Sequence, residues 1–460
     1  MKVEQIYTGC LSQGAYYIES NGEAAIIDPL RETKPYLERA KRDNARIKYI
    51  FETHFHADFV SGHISLAEQT GASIVYGPNA NPSFEVLLAK DQEVYQLGDV
   101  TITAIHTPGH TMESTTYLLK DENGKDYAIF SGDTLFLGDV GRPDLAQKGN
   151  EITQEDLAGI LFDSLRNKIM PLADDVIVYP AHGAGSACGK NMMKETVDTL
   201  GNQKKMNYAL RADMTREEFI KEVTEGLAPP PLYFPMNVKM NREGYAPIDE
   251  VIAHGTRALD PEAFEGIANE TGAIVLDVRN QIEFIDGHIP RSIFIGLDGG
   301  FAPWVGALLV DVNQKILLVV SPGREEEAVT RLSRVGFDRT LGYLQGGIEA
   351  WKEAGKEIDV LESVDAETLK ERMEENAPVV DVRNDGEYSN SHIPSAVHAP
   401  LSNLNDHINE FPKNEKFYIH CAGGYRSVIA ASILKSRGIH NVADVAGGFN
   451  AIKKTAIPVS

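Results

Sequence analysis

The stretch that decides the fold of the first half of the chain reads Thr53-His54-Phe55-His56-Ala57-Asp58. The aromatic and β-branched content of residues 48–53 predicts a strand, and the quoted stretch begins where that strand ends. Six of the 13 histidines of the chain lie between His54 and His182, so imidazole groups are concentrated in this region. The stretch therefore predicts polar groups gathered at one edge of a sheet.

Three later motifs also lie at the ends of predicted strands, which are residues 101–106, 127–131 and 175–179. The motifs are Pro108-Gly109-His110-Thr111, Ser131-Gly132-Asp133-Thr134 and Tyr179-Pro180-Ala181-His182. Imidazole and carboxylate groups that meet at one edge are common metal ligands in proteins. We therefore predict a metal site rather than a set of loop and capping histidines. For His63 and His106 we expect only local hydrogen bonds.

The length and the charge of the chain limit its organisation and its partners. At roughly 150 residues per domain, 460 residues predict about three domains. The chain has 44 Lys+Arg against 67 Asp+Glu, which gives a net charge of −23. Such a protein repels phosphate backbones and anionic lipid surfaces. We therefore expect neither a nucleic acid nor a membrane as a partner, and we look to small molecules.

The cysteines indicate the redox compartment. Only Cys10, Cys188 and Cys421 occur, and their wide separation excludes a disulfide framework. No apolar stretch approaches the roughly 20 residues that span a bilayer, and we see no signal peptide. These features predict a cytoplasmic protein. We expect Cys10 in the core, whereas Cys188 fits either a buried small residue or a redox-modified regulator.

The second half of the chain contains an internal repeat. Ile274-Val-Leu-Asp-Val-Arg279 recurs 104 residues later as Pro378-Val-Val-Asp-Val-Arg383. Two further motif pairs keep the same order, and apolar strands alternate with helical stretches, which predicts two α/β domains with parallel sheets. Four prolines in residues 226–235 predict irregular backbone before the repeat. We therefore predict domains at residues 1–244, 245–358 (the first copy) and 359–460 (the second copy).

The second copy carries a cysteine at the end of an apolar strand, in the loop Cys421-Ala422-Gly423-Gly424-Tyr425-Arg426 (the cysteine loop). Backbone N–H groups of such a loop, the N-terminus of the following helix and the Arg426 cation all favour a thiolate. We therefore predict that Cys421 is a nucleophile. The first copy has Ser321 at the matching place and a shorter loop, so we expect it to be catalytically silent, with a role in scaffolding or dimerisation.

The first domain resembles the metallo-β-lactamase fold, an αββα sandwich with metal at the edge of its sheets. The usual motif of that fold is His-x-His-x-Asp-His, but Phe59 follows Asp58 here. A dinuclear hydrolase of the glyoxalase II type uses the missing histidine for its second metal. The persulfide dioxygenases of the same fold instead bind one Fe(II), and the resemblance implies His54, His110 and Asp133 as its ligands. Two histidines and one carboxylate form the facial triad of non-haem Fe(II) oxygenases.

The same resemblance assigns the surrounding residues. It implies that His56, Asp58 and His182 orient the ligands or bound water. Gly141-Arg142-Pro143-Asp144 is similar to a segment of those dioxygenases in which the arginine seats the substrate, and Tyr179 matches a second substrate residue. A salt bridge from Arg142 to Asp144 and ordinary strand packing of Tyr179 are the alternatives.

The cysteine loop resembles the active loop of the rhodaneses, which begins with a cysteine and ends with an arginine. The resemblance implies Cys421 and Arg426 as catalytic residues, and Asp381 and Arg383 as a brace for the loop. The related phosphatase loop is one residue longer to fit phosphate, so the six residues here favour sulfur transfer.

Together the motifs resemble a persulfide dioxygenase–rhodanese fusion of sulfide detoxification. The resemblance implies oxidation of a low-molecular-weight thiol persulfide by O2 to sulfite and thiol. Cys421 would then transfer sulfur to sulfite and form thiosulfate. The implied cofactor is one mononuclear Fe(II) per chain, and a homo-oligomer is compatible with the sequence. The alternatives are a zinc-dependent, glyoxalase II-like thioesterase with appended rhodanese domains, and a sulfur-relay module without net turnover.

Overall fold

The computed structural model describes residues 1–146, 152–309 and 311–460, which divide into two compact units. The first unit comprises Met1–Ile248 with Ser333–Gly336, and the second comprises Asp249–Leu332 with Phe337–Ser460. The domain limits placed at residues 244 and 358 stay predictions.

Two sheets form the centre of the first unit, and among the described residues each has six strands. The first sheet contains β1 (Lys2–Thr8), β2 (Gln13–Ser20), β3 (Glu23–Ile27), β4 (Arg46–Phe51), β5 (Ser73–Tyr76) and β6 (Leu87–Leu88). The second sheet contains β7 (Val94–Leu97), β8 (Val100–His106), β9 (Thr115–Lys120), β10 (Asp126–Gly132), β11 (Ile177–Pro180) and β12 (Asp198–Thr199). Strands β1 to β3 are antiparallel, and β3 to β6 are parallel. The second sheet is antiparallel except for the β10–β11 pair.

Helices cover the outer faces of both sheets. They are α1 (Lys34–Arg42), α2 (His63–Thr70), α3 (Gln154–Ser164), α4 (Leu200–Met206), α5 (Arg216–Thr224) and α6 (Phe234–Glu243). A π-helical turn at Leu165–Ile169 extends α3, and Tyr208–Leu210 is a 3-10 turn. The expectation of irregular backbone through residue 235 was wrong at its end, because α6 begins at Phe234. Pro235 lies in the first turn of that helix, where its missing N–H costs no hydrogen bond.

Apolar side chains fill the layers of the first unit. The layer between the sheets includes Ile18, Ile27, Phe51, Ile102, Tyr117 and Phe130. Outside the first sheet, Tyr36 of α1 and Leu66 of α2 belong to a second cluster. Outside the second sheet, Leu161 of α3 and Phe219 of α5 belong to a third. The order of layers is therefore helix, sheet, sheet, helix, which confirms the predicted αββα sandwich.

The second unit contains two parallel sheets with the same strand order. The first copy orders its strands β13-β17-β16-β14-β15, and the second copy orders its strands β18-β22-β21-β19-β20. In sequence order these are β13 (Ala258–Leu259), β14 (Ile274–Asp277), β15 (Ile293–Phe294), β16 (Ile316–Val319), β17 (Thr340–Leu344), β18 (Ser363–Val364), β19 (Val379–Asp381), β20 (Val397–His398), β21 (Phe417–His420) and β22 (Val442–Val445). The shared order confirms the predicted repeat and its parallel sheets.

Helices connect the strands of each copy. They are α7 (Ile248–Gly255), α8 (Pro261–Thr271), α9 (Gln281–Asp286), α10 (Phe301–Leu308), α11 (Glu325–Ser333), α12 (Gly347–Glu353), α13 (Ala366–Glu374), α14 (Asp385–Asn390), α15 (Leu404–His407), α16 (Tyr425–Ser436) and α17 (Gly448–Ile452), with a 3-10 turn at Leu401–Asn403. Within the described parts of the chain, no helix has the length and apolarity needed to cross a bilayer.

Candidate metal centre and cysteine loop

The strands of the first unit bring the predicted metal ligands to one edge. His54 follows β4, His110 follows β8, Asp133 follows β10 and His182 follows β11. Strands β8, β10 and β11 run in the same direction, so their carboxyl ends share an edge of the second sheet. Gly132 allows the close approach to β4, because a Cβ atom there would lie 2.6 Å from the Thr53 side chain.

His54, His110 and Asp133 form a buried three-residue group. Asp133 Oδ2 lies 3.8 Å from His54 Nε2 and 3.4 Å from His110 Nε2. The three ligand atoms lie within 4.8 Å of one another, which places them around a common point. Burial and the neighbouring histidines hold the pKa of His54 well below its usual value, so its imidazole stays in the neutral form that binds metals.

Hydrogen bonds select the ring nitrogen that each histidine presents. His54 Nδ1 lies 3.0 Å from Thr53 Oγ1, and that hydroxyl donates to Asp28 Oδ2 at 2.9 Å. His110 Nδ1 lies 2.8 Å from the backbone oxygen of Arg142. Since both partners accept, each Nδ1 carries the proton and each Nε2 lone pair is directed toward Asp133.

Orphaned polar atoms indicate that this group fits a cation. Both carboxylate oxygens of Asp133 lack a hydrogen-bond partner, although the residue is 1% exposed. An ionised carboxylate that is buried without a donor is costly unless a cation compensates it. Two imidazoles and one carboxylate are therefore suited to a divalent metal here.

His56, Asp58 and His182 flank this group. His182 Nε2 lies 3.5 Å from Asp58 Oδ2 and 3.5 Å from Asp133 Oδ1. His56 Nε2 lies 3.1 Å from Asp28 Oδ1 on the inner side. The structure thus brings all six predicted residues together, while their division into ligands and supporting groups stays a prediction.

Phe59 occupies the position that is a histidine in the usual motif. Its side chain is fully buried, and its ring stacks on His56 with 4.3 Å between the ring centroids. It also lies 6.3 Å from the His182 ring. An apolar ring cannot ligate a metal, so this side of the cluster has one donor fewer than the usual motif supplies.

Asp28 supports the centre, and the sequence analysis did not identify its role. It accepts from both the N–H and the hydroxyl of Thr53, and it contacts His56. Its backbone adopts a left-handed φ of 49° at the end of β3, a conformation that aspartate tolerates better than most residues. Its position directly after the apolar run of residues 24–27 was the available signal.

The predicted substrate residues have structural partners. The Arg142 guanidinium makes two 2.7 Å bonds to Asp144 and donates to the carbonyls of Ala187 and Ala228. The Tyr179 ring stacks on Phe130 at 5.3 Å between centroids, in the layer between the sheets. These contacts are the salt bridge and the strand packing that were the alternatives, so a substrate role for either residue stays a prediction.

A cavity of about 300 Å³ opens beside His110. Phe55 and Met112 provide apolar walls, and Asn79 and Arg242 provide polar groups. These residues come from three separate loops and from α6 and share no motif, so the sequence did not reveal the cavity. The cavity has the size of a small-molecule site.

The other cysteines and histidines of the first unit differ in exposure. Cys188 is buried, and its sulfur groups with Asp58 and His182. Burial, with Asp58 and Asp133 nearby, raises its pKa well above the usual value, so the thiol stays protonated. Cys10 is partly exposed in the turn after β1, so the expectation that it lies in the core was wrong. His106 makes the expected local bond, to the carbonyl of Met112. The same expectation was wrong for His63, because its buried Nδ1 lies 3.1 Å from the Glu52 carboxylate at the end of β4.

In the second copy, β21 delivers Cys421 to the start of α16. The residue is 1% exposed, and its sulfur accepts from the Gly424 N–H at 3.1 Å and lies 3.5 Å from Ser427 Oγ. Gly424 has a left-handed φ of 99°, which turns its N–H toward the sulfur. Arg426 makes two 2.7 Å bonds to Glu387, so its charge is shared with that carboxylate.

Asp381 and Arg383 reach the cysteine loop through Phe449. The Asp381 carboxylate accepts from the Arg383 guanidinium, and that guanidinium lies 3.8 Å above the Phe449 ring. The Phe449 N–H donates to the Cys421 carbonyl at 2.7 Å. The pair therefore contacts the loop indirectly.

The family models match three segments of the chain. Residues 8–182 match the Metallo-beta-lactamase superfamily, and residues 260–354 and 365–455 each match the Rhodanese-like domain. The chain has one metallo-β-lactamase domain and two rhodanese-like domains. This order confirms the predicted fold class, and a metallo-β-lactamase domain implies a metal centre.

Relatives of the metallo-β-lactamase domain have two kinds of activity. The chain is 32% identical over 171 residues to a hydroxyacylglutathione hydrolase of Tolumonas auensis, covering 36% of this chain and 60% of that protein. It is 29% identical over 205 residues to the mitochondrial persulfide dioxygenase of Homo sapiens, covering 43% of this chain and 70% of that protein. A crystal structure of a metallo-β-lactamase from Staphylococcus aureus subsp. aureus COL has 30% identity and a TM-score of 0.67. That match covers 74% of this chain and 98% of the other, so it extends beyond the metallo-β-lactamase domain.

Proposed function

We propose that the chain is an Fe(II)-dependent persulfide dioxygenase fused to a sulfurtransferase. In the first reaction a thiol persulfide, O2 and water give the thiol and sulfurous acid, which ionises to sulfite. The sulfane sulfur is oxidised by four electrons, and O2 is reduced. In the second reaction Cys421 forms thiosulfate from sulfite and a second persulfide.

One observation carries the dioxygenase proposal. Phe59 is buried against His56 at the position of the missing ligand, next to a group of two histidines and one carboxylate. Such a group suits one redox-active ion with open positions. Zinc has no redox chemistry and serves hydrolysis.

In this proposal His54, His110 and Asp133 hold one Fe(II) per chain. The iron supplies the redox-active centre at which O2 and the sulfur substrate react. Thr53 and the Arg142 carbonyl keep both Nδ1 atoms protonated, which holds the Nε2 atoms in place for the metal. The cavity beside His110 would bind the thiol part of the substrate.

Cys421 carries the second reaction. Its thiolate attacks the sulfane sulfur of a persulfide, the S–S bond of that persulfide breaks, and the thiol leaves with the proton. Sulfite then attacks the terminal sulfur on Cys421, which releases thiosulfate and restores the thiolate. The Gly424 N–H and the N-terminus of α16 stabilise negative charge at the sulfur.

A zinc-dependent thioesterase is the second candidate for the first domain. It is favoured by the similarity to hydroxyacylglutathione hydrolases and by the position of Asp58 and His182 beside Asp133. One experiment separates the candidates: metal analysis of anaerobically purified protein, with O2 uptake on a panel of thiol persulfides and hydrolysis of hydroxyacylglutathione. We expect iron and persulfide-dependent O2 uptake. Stoichiometric zinc with thioester hydrolysis and no O2 uptake would refute the dioxygenase.

A further inference from the structure

We propose that the first rhodanese-like domain, which has Ser321 in place of a cysteine, serves as the docking surface that fixes the cysteine loop of the second. Tyr425 and Gly299 are the positioning residues of this contact. The inference rests on the proposed sulfur transfer at Cys421. It gives the silent copy a role in catalysis that needs no nucleophile of its own.

The contact is made by a side chain of the cysteine loop itself. The Tyr425 hydroxyl donates to the Gly296 carbonyl of the first copy at 2.7 Å, and its ring meets the Phe294 ring at 5.9 Å and 73°. At Gly299, a Cβ atom would lie 2.2 Å from the Tyr425 Cζ atom. The ring therefore occupies space that exists only because residue 299 has no side chain.

Tyr425 is adjacent to the groups that contact the sulfur. It follows Gly424, whose N–H donates to Cys421 Sγ, and it precedes Arg426, which pairs with Glu387. An anchored Tyr425 side chain fixes the Tyr425 Cα and restricts the peptide plane between Gly424 and Tyr425, which meets the plane of the Gly424 N–H at the Gly424 Cα. The first copy thereby restricts the direction of the Gly424 N–H.

Three further hydrogen bonds attach the rest of α16 to the first copy and to the segment that follows the first copy. The Phe294 N–H, on the edge strand β15, donates to Ser432 Oγ at 2.9 Å. Lys435 Nζ donates to Asp359 Oδ1 at 2.9 Å and to the Val360 carbonyl at 2.6 Å. These contacts hold the helix beyond its first turn, whereas the Tyr425 contact lies at the end that faces the sulfur.

The test compares the Tyr425→Phe and Gly299→Ala variants of the full-length protein with two matched controls. Gly300→Ala adds a methyl group at the next residue, where the nearest atom lies 3.4 Å away, and Tyr343→Phe removes a hydroxyl from β17. One readout is the pH dependence of Cys421 alkylation by iodoacetamide, followed by mass spectrometry of the Cys421 peptide. The other is kcat/KM for sulfur transfer from persulfide to sulfite.

We expect Tyr425→Phe to lower kcat/KM about five-fold, the effect of losing one neutral hydrogen bond. Alkylation should shift to higher pH in Tyr425→Phe and further in Gly299→Ala, because a displaced Gly424 N–H stabilises the thiolate less. The controls should match the wild type. Wild-type pH profiles and kcat/KM in both test variants would overturn the inference.

A double variant keeps the test decisive if Gly299→Ala perturbs folding. Once Tyr425→Ala has removed the ring, adding Gly299→Ala should change neither the alkylation profile nor the melting temperature. An equal cost of Gly299→Ala in both backgrounds would contradict the contact. Alkylation of Cys421 does not depend on persulfide chemistry. If the wild-type protein transferred no sulfur, the proposed function would be refuted, but the alkylation profiles would still test the contact between the two copies.

Discussion

At the scale of single residues, Phe59 is the residue on which the proposed single-metal centre depends. It replaces a donor with an apolar ring that packs on His56. We predict that Phe59→His raises the metal content from one toward two ions per chain, because it restores a nitrogen beside Asp58 and His182. Inductively coupled plasma mass spectrometry of metal-saturated, desalted protein measures this content. The control Phe59→Leu also loses the stacked ring and should keep one ion; a Phe59→His variant that keeps one ion as well would contradict the account.

Thr53 determines which nitrogen of His54 faces the metal. Its hydroxyl bridges His54 Nδ1 and the buried Asp28 carboxylate. We predict that Thr53→Val weakens metal binding by about 10- to 100-fold, the usual effect of losing such a supporting hydrogen bond. Competition with a chelator measures the dissociation constant of the metal. Thr103→Val is the control, since the Thr103 hydroxyl is buried without a hydrogen-bond partner. Equal metal affinities in the two variants would show that Thr53 does not orient His54.

At the scale of elements, Gly132 allows the end of β10 to approach the end of β4. It has a left-handed φ of 54° and contacts the Thr53 side chain. We predict that Gly132→Ala lowers both the free energy of unfolding and the metal content. Urea denaturation and metal analysis measure the two effects.

Gly71→Ala is the control that separates the cost of a left-handed backbone from the cost of the close contact with Thr53. Gly71 follows α2 with a φ of 71° and has open space around it, so its substitution should cost only about 1 kcal/mol and leave metal binding intact. If Gly132→Ala behaved like Gly71→Ala in both measurements, the close approach of the two loops would not matter for the centre.

The grouping of the candidate ligands was largely predictable at this scale because each motif follows a strand. His110 and Asp133 meet because strand direction brings the ends of β8 and β10 to one edge, and Gly132 lets that edge approach His54 after β4 of the other sheet. The supporting contacts were not predictable, because the Arg142 carbonyl and the Asp28 carboxylate reach their histidines through loop conformation. For Tyr179, strand alternation places the ring in the layer between the sheets, and its substrate role stays a prediction.

At the scale of the whole molecule, the proposed function places the source and the acceptor of sulfite on one chain. Under that proposal the shared chain would raise the effective concentration of sulfite at Cys421. The net charge of −23 would disfavour anionic sulfur species, so local donors must offset it. Arg142 and Arg426 both pair with carboxylates, so we expect the N–H groups of the cysteine loop to contribute as further donors to an anion.

Because the two proposed reactions occur at different sites, a substitution at one site should stop one product and leave the other reaction intact. In Cys421→Ser we expect sulfite to accumulate in place of thiosulfate while persulfide-dependent O2 uptake continues, because the metal centre contains no atom of Cys421. Ion chromatography of the products measures the change. Cys10→Ser, at a partly exposed turn, is the matched control and should still form thiosulfate.

The most direct test of the central claim is O2 consumption by iron-loaded Cys421→Ser with a thiol persulfide, measured with an oxygen electrode alongside sulfite. The account predicts one sulfite formed for each O2 consumed, and loss of both when His110→Ala is added. Absence of O2 uptake in iron-loaded protein, with thioester hydrolysis by the zinc form instead, would contradict it.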